Sequence, residues 1–249
     1  MNYYKKKNIS EQSIINLFTK IFNQNTKKYV LLKAGEDDCS ILNIKKKKTI
    51  QIVFSTDMLH QKTDFPKQMT YFQIGWMSLA VNLSDIASMG CLPIGYLFSI
   101  GIPLTMNLKQ IKLIAKGIKF CSSIYSTPVI GGDTDVHDEL TISGTIIGKK
   151  DTKLIKRKGA KINDLVCITG FPGLSGLALY ILEKKINLNM INLDYLYNQL
   201  FLPVPRIKEG YFLSKYNIAT SMIDTSDSLA QSLYKLSNMS NVGFEIIKD

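Results

Sequence analysis

The sequence predicts a mixed α/β fold in two domains, the first over residues 1–150 and the second over residues 151–249. Three observations carry this expectation. Short β-branched and aromatic runs alternate with long amphipathic stretches up to about residue 150. A polar, lysine-rich stretch over 149–161 then reads as a domain junction. Beyond it a strand-like run, a glycine turn and a helical segment start the alternation again. With 249 residues and 45% apolar content the chain has enough material to bury a sizeable core.

Taken in order, Ser10 is placed to cap a helix whose apolar positions Ile14, Leu17, Phe18, Ile21 and Phe22 recur at helical spacing. Strand-like runs follow over 29–33, 39–44 and 49–54. The last two flank four lysines at 45–48 that read as a solvated hairpin tip. Residues 70–89 predict a long helix that Gly90 ends, and 93–103 an apolar, aromatic strand. Asn107 caps a third predicted helix that runs to about Tyr125. Strands over 128–132 and 139–148 complete the first unit. The second unit reads as a strand over 165–169, a helix over 174–184, a mostly helical middle, a strand over 219–223, a helix over 227–238 and a strand over 242–247. No internal repeat is visible.

Lys+Arg number 31 against 20 Asp+Glu, a formal net charge of +11. Such a surface steers anionic molecules, but the chain has no finger spacing, helix-turn-helix signature or aromatic-and-basic RNA motif, so nucleic acid is not an expected partner. Cys39, Cys91, Cys121 and Cys167 are scattered without Cys-x-x-Cys spacing, which excludes a zinc ribbon and fits reduced thiols. The basic start, residues 1–7, lacks an apolar signal core, and the longest apolar stretch, 93–104, is too short to span a bilayer. A cytoplasmic protein without membrane contact is expected.

Acidic residues recur where strands give way to turns or helices: Asp37 and Asp38, Asp57 in Ser55-Thr56-Asp57, Asp133 in Gly131-Gly132-Asp133, and Asp224 and Asp227 in Asp224-Thr225-Ser226-Asp227. Open α/β folds place ligands at such edges. Asp85 adds a position inside a helical segment, and Asn82, three residues earlier, shares its face. Hard oxygen donors without His or Cys are the set that Mg²⁺ selects, and Mg²⁺ commonly completes its shell with phosphate and water. The pattern therefore implies phosphate handling. Glycines beside Asp133 let backbone approach a phosphate closely. Each carboxylate also has a plainer reading: Asp227 suits a helix cap, and Asp37 and Asp38 suit a turn.

In chain order the segments 37–42 (DDCSIL), 55–59 (STDML), 79–90 (LAVNLSDIASMG), 130–134 (IGGDT), 157–164 (RKGAKIND) and 222–229 (MIDTSDSL) resemble the thiamine-monophosphate kinase branch of the aminoimidazole ribonucleotide synthetase-like superfamily. The resemblance implies an N-terminal α/β domain with a mixed sheet that dimerises by combining strands from two chains, and a second α/β domain, shortened at its C-terminus here, that covers the site. It implies Mg²⁺ ions, several of them, at Asp38, Ser55, Thr56, Asp57, Asp85, Asp133, Asp224 and Asp227. It implies ATP contacts at Gly132, Asp133, Arg157 and Ser226, with Tyr125 as a further one, and a substrate contact at the position of Asp64. The implied reaction is direct in-line transfer of the ATP γ-phosphate to thiamine monophosphate, the last step of thiamine diphosphate biosynthesis, with no protein nucleophile or base.

The chain departs from the family pattern at several positions. Glu36 replaces a glycine, Asp64 a histidine with His60 four residues earlier, Met77 a lysine and Ser228 a glycine. The family pattern also continues beyond residue 249, so an incomplete second domain is expected. These departures motivate two alternatives: another ATP-using enzyme of the superfamily with a different phosphorylated acceptor, or a degenerate nucleotide-binding dimer without activity.

Overall fold

The computed structural model describes residues 30–32, 36–37, 39–44, 50–186 and 193–247. The helix expected after Ser10, the lysine hairpin tip and Asp38 lie outside the described residues. Six strands, β1 (Val30–Leu32), β2 (Ser40–Ile44), β3 (Ile50–His60), β4 (Leu92–Ile102), β5 (Val129–Val136) and β6 (Thr141–Lys149), form one sheet in the order β1-β2-β3-β6-β4-β5. All neighbours are antiparallel except β4 and β5. The β3–β6 register sets Asp57 opposite Gly144.

Side chains alternate along β6 so that Ile142, Gly144, Ile146 and Gly148 face inward and are buried. Over them lies helix α1 (Tyr71–Ser88), opened by a Thr70/Gln73 capping box. α1 is buried on most of its circumference, with Leu79, Leu83 and Ile86 at 0% exposure. Each such side chain contributes about 2 kcal/mol when fully removed from water. Helix α2 (Leu108–Ile124), capped by Asn107, packs on the outer side of α1. The crossing is close because both helices carry glycine there: a Cβ at Gly75 would lie 2.0 Å from the Ile114 carbonyl oxygen, and one at Gly117 1.9 Å from that of Phe72.

Past residue 149 come α3 (Leu174–Lys184), α4 (Leu193–Phe201), α5 (Ile207–Lys215) and α6 (Leu229–Ser240). α5 is seated on the end of α1, where a Cβ at Gly210 would lie 2.1 Å from the Ala87 carbonyl oxygen. Trp76 Nε1 on α1 also donates to the Pro203 carbonyl, 2.8 Å away. Ala178, Ile181 and Leu196 make a small second core between α3 and α4.

Three expected strands are absent. Residues 165–169, 219–223 and 242–247 form no strand, and the first of these has no backbone hydrogen bond among the described residues. Strand propensity is a fit to a pleated, half-buried surface, and without a paired neighbour it organises nothing. Leu165 is accordingly 90% exposed. β3 in contrast runs six residues beyond its expected end, because β6 pairs with it as far as His60.

Candidate active site

Along β3, Val53, Ser55, Asp57 and Leu59 alternate toward α1, so the Ser55-Thr56-Asp57 motif delivers two of its three side chains to the helix. There the Ser55 hydroxyl donates to Asp85 Oδ2 in a short hydrogen bond. Burial pushes the Asp85 carboxyl up to about 8, and the nearby Asp57 charge adds to the rise while the Ser55 bond opposes it. Burial likewise raises Asp57 to about 6, with Asp224 and Asp227 contributing repulsion. Among the described residues no lysine or arginine forms an ion pair with Asp57 or Asp85. Like charges that repel in a half-buried cleft are costly for a fold to retain.

The segment preceding α6 brings the other two carboxylates. Ser84 Oγ, beside Asp85 on α1, donates to Asp224 Oδ2 at 3.4 Å, and Ser232 Oγ donates to the Asp224 carbonyl at 2.8 Å. Asp227 is more exposed and pairs with Lys235 at 2.5 Å. It does not cap the helix, as the sequence suggested it could. The cap is Ser228, whose hydroxyl accepts from the Gln231 N–H.

Arg157 sits in a loop held from two sides. Ser240 at the end of α6 accepts from the Gly159 and Ala160 N–H groups and donates to the Arg157 carbonyl, all at 3.1 Å. The Met222 N–H reaches the Lys156 carbonyl at 3.1 Å, tying this loop to the Asp224 segment. Arg157 pairs with Asp37, Nε to Oδ1 3.9 Å, and its N–H donates to Asp37 Oδ2. Burial raises the Asp37 carboxyl, with Arg157 opposing.

The remaining expected residues are more dispersed. Thr56 lies between the inward residues, and its hydroxyl donates to the Gly144 carbonyl at 2.6 Å. A Cβ at Gly132 would lie 2.3 Å from the Phe98 carbonyl oxygen, so only glycine lets β5 lie this close to β4. Asp133 is on β5, which is exposed along its whole length. Its register partner is Ser99, in the row next to the one that joins Asp57, Gly144 and Phe98. Three strand spacings separate β5 from β3, about 14 Å, so Asp133 and Asp57 of one chain do not meet. Tyr125 caps α2 against Trp76, ring centroids 6.1 Å apart, with its hydroxyl pushed up to about 12 by burial. Ser226 is in the exposed turn before α6. The Asp64 carboxylate accepts from the His60 N–H and the Thr63 hydroxyl, both at 2.7 Å, so it is committed to its own turn.

Residues 36–149 match the AIR synthase related protein, N-terminal domain. The thiamine-monophosphate kinase of Methanospirillum hungatei is 39% identical over 211 residues, 84% of this chain and 68% of that protein. The thiamine-monophosphate kinase of Archaeoglobus fulgidus is 37% identical over 235 residues, 94% of this chain and 74% of that protein. The chain belongs to the thiamine-monophosphate kinase family. Its fold agrees with the structure of AaThiL complexed with AMPPCP and TMP, at a TM-score of 0.80 and 24% identity over 93% of this chain and 70% of that one.

Within the thiamine-monophosphate kinase family pattern, the Ser228 departure now has a physical meaning. Its φ of 95° and ψ of 153° lie where glycine is favoured, a conformation that costs other residues about 1–3 kcal/mol. Ser228→Gly should therefore raise stability by about 1 kcal/mol, since exchanging a Ser cap for Gly loses only a few tenths. Urea unfolding of the pair checks this, and an unchanged or lower midpoint would contradict it.

The donor chemistry fits Mg²⁺. Every group at the centre is a hard oxygen donor, and the crowded charges of Asp57 and Asp85 are what a divalent cation relieves. Among the described residues no three His, Cys, Asp or Glu side chains converge closely enough to hold a metal by themselves. Sequence reasoning missed two supports of this candidate site. Ser84 stands beside Asp85 in the 79–90 block and was within reach of notice. Ser240 had no local signal, because it acts on a loop 81 residues earlier.

Proposed function

We propose that the chain transfers the γ-phosphate of ATP to thiamine monophosphate, giving thiamine diphosphate, with Mg²⁺ and by direct in-line displacement. The observation that carries this reading is the half-buried Asp57 and Asp85, which pair with no lysine or arginine among the described residues and lie near enough to Asp224 and Asp227 to be repelled by them, on a chain with a net charge of +11. Kinase relatives at up to 39% identity, and the binding of AMPPCP and TMP by AaThiL, support the nucleotide and the acceptor.

The residues divide the work as phosphoryl transfer requires. The acceptor phosphate has a second pKa of about 6, so it is mostly ionised at neutral pH and needs no general base. The chemistry a bound Mg²⁺ supplies is neutralisation of the charge between two polyanions. Asp57 and Asp85 would hold it, with Asp224 and Asp227 facing them. Ser55 orients Asp85, and Ser84 holds Asp224. Arg157, whose backbone is anchored through Ser240 and whose guanidinium pairs with Asp37, would contact a nucleotide phosphate. Asp64 accepts from the His60 N–H and the Thr63 hydroxyl, which hold its carboxylate on its own turn.

The same proposal includes a homodimer. β5 is an exposed eight-residue edge strand carrying Val129, Ile130 and Val136, and such an edge is normally covered. A second copy on it would also give Asp133 a route to a site that its own chain does not offer. The assay is transfer of labelled γ-phosphate from ATP to thiamine monophosphate, with Mg²⁺ and then with chelator. Metal-dependent thiamine diphosphate is expected. Product only with another acceptor would favour a re-purposed relative, and ATP binding without turnover a degenerate one.

A further inference from the structure

Asn82 on α1 is fully buried, at 0% exposure, three residues before Asp85. Its Nδ2 donates to the Ser78 carbonyl at 3.0 Å. A carbonyl can only accept, so the end of the amide facing it is the amino group and the other end is the oxygen. That oxygen, Oδ1, has no hydrogen-bond partner among the described residues. Leaving a buried acceptor unsatisfied is unfavourable, and native structures do so rarely.

The amide lies over the Asp57–Gly144 pair. A Cβ at Gly144 would come 2.5 Å from Asn82 Nδ2 and 2.4 Å from the Tyr96 hydroxyl, so the glycine makes room for both. Hydroxyls of this region are already committed, Tyr96 to the Ser78 carbonyl at 2.8 Å, Thr56 to the Gly144 carbonyl at 2.6 Å, Ser78 to the Gly75 carbonyl at 2.9 Å and Ser55 to Asp85. Ionised Asp57 and Asp85 only accept. The described residues leave Oδ1 without a donor, and the carboxylates can recruit one: a hydrated cation brings water with strongly polarised O–H groups.

We infer that Asn82 is a positioning residue for the cation site, its side-chain carbonyl accepting a hydrogen bond from a water carried by the cation at Asp57 and Asp85. The inference rests on the proposed use of Mg²⁺ at that site. Residues that act on a metal through such bonds change its affinity by about 10–100-fold when lost. A purely structural asparagine would change stability and leave metal affinity alone.

The test is the thermal midpoint of the whole chain titrated with MgCl₂, without nucleotide or turnover, for wild type, Asn82→Leu, Asn82→Ala and the control Ser78→Ala. Ser78→Ala removes only a side-chain bond to the Gly75 carbonyl in the same buried helix. Expected is a Mg²⁺ half-point raised at least tenfold in both Asn82 variants and unchanged in the control. Asn82→Ala carries the test if the leucine does not fold. Equal half-points in wild type and the Asn82 variants would overturn the inference while keeping the cation site. The absence of any Mg²⁺ effect on wild type would remove the site and the inference with it.

Discussion

Asp57→Asn should move activity and stability in opposite directions. Turnover is expected to fall about a thousandfold or more, about 4 kcal/mol of transition-state stabilisation, because a charged oxygen donor that would hold the proposed Mg²⁺ becomes a neutral amide. The metal-free protein should become more stable. Its Asp57 carboxyl sits at about 6 rather than 3.8, chiefly through burial and then through Asp224 and Asp227. The sign follows from linkage. Below about pH 4 the carboxyl is protonated in both folded and unfolded chains and costs nothing. As pH rises from about 4 through about 6, and to about 8 for Asp85, the unfolded chain ionises while the folded site holds its protons, so stability falls across that window. In chelator at pH 8 the variant should be more stable by about 2 kcal/mol, about 6 °C in midpoint for a chain of this size. At pH 4 the two proteins should melt nearly together. Calorimetry at both pH values checks the stability arm and labelled phosphate transfer the activity arm. A variant that loses activity and is also less stable at pH 8 would show that Asp57 is a structural residue and not a metal carboxylate.

That opposition of function and stability explains which parts of the site are legible in the sequence. Asp57, Asp85 and Asp224 are acidic residues in apolar surroundings, and an apolar run seldom carries an uncompensated carboxylate without a use for it. Their meeting was not legible: the strand was expected to end at residue 54, and Asp57 joins the inward row of β3 only because β6 pairs with that strand as far as His60. Nor was the position of Asp133. Its distance from Asp57 depends on the sheet order β3-β6-β4-β5, a long-range pairing that local pattern does not contain. The same limit accounts for the three missing strands. Residues 165–169 and 219–223 have strand composition, but composition cannot say whether a neighbour is present to pair with them.

The helices fared better because their signals are local. Thr70 with Gln73 and Asn107 with Gln110 are capping boxes written within four residues, and the observed helices begin one residue after each cap. At α6 the local signal misled by one position in kind: Asp227 has the better cap chemistry, yet Ser228 caps the helix while Asp227 turns to Lys235. Arg157 shows the opposite case. As an isolated residue in a lysine-rich junction it reads as solvated, whereas the structure pairs it with Asp37 and ties its backbone to Ser240.

The second large effect should come from a residue far from any charge. Gly75→Ala is expected to destabilise the protein by about 4 kcal/mol, lowering the midpoint by about 12 °C. The added methyl meets backbone: its carbon would lie 2.0 Å from the Ile114 carbonyl oxygen and 2.8 Å from the carbonyl carbon. No rotamer relieves that contact, so α1 and α2 must separate by about 1 Å, loosening the Phe72–Phe120 and Trp76–Phe120 ring contacts at 5.7 and 5.8 Å. Gly117 occupies the reciprocal position against the Phe72 carbonyl, so Gly117→Ala forces the same separation from the other side. Once the helices have moved apart for one methyl, the second finds part of its space already made. The double variant should therefore cost well under the sum of the singles, by about 1–3 kcal/mol. Because α1 also carries Asp85 against Ser55, a 1 Å displacement of the helix should lower turnover about a hundredfold at temperatures where the variants remain folded. Urea titrations of the two singles and the double decide the point: strictly additive costs would mean that each glycine serves its own neighbourhood and that the α1–α2 spacing does not position the site.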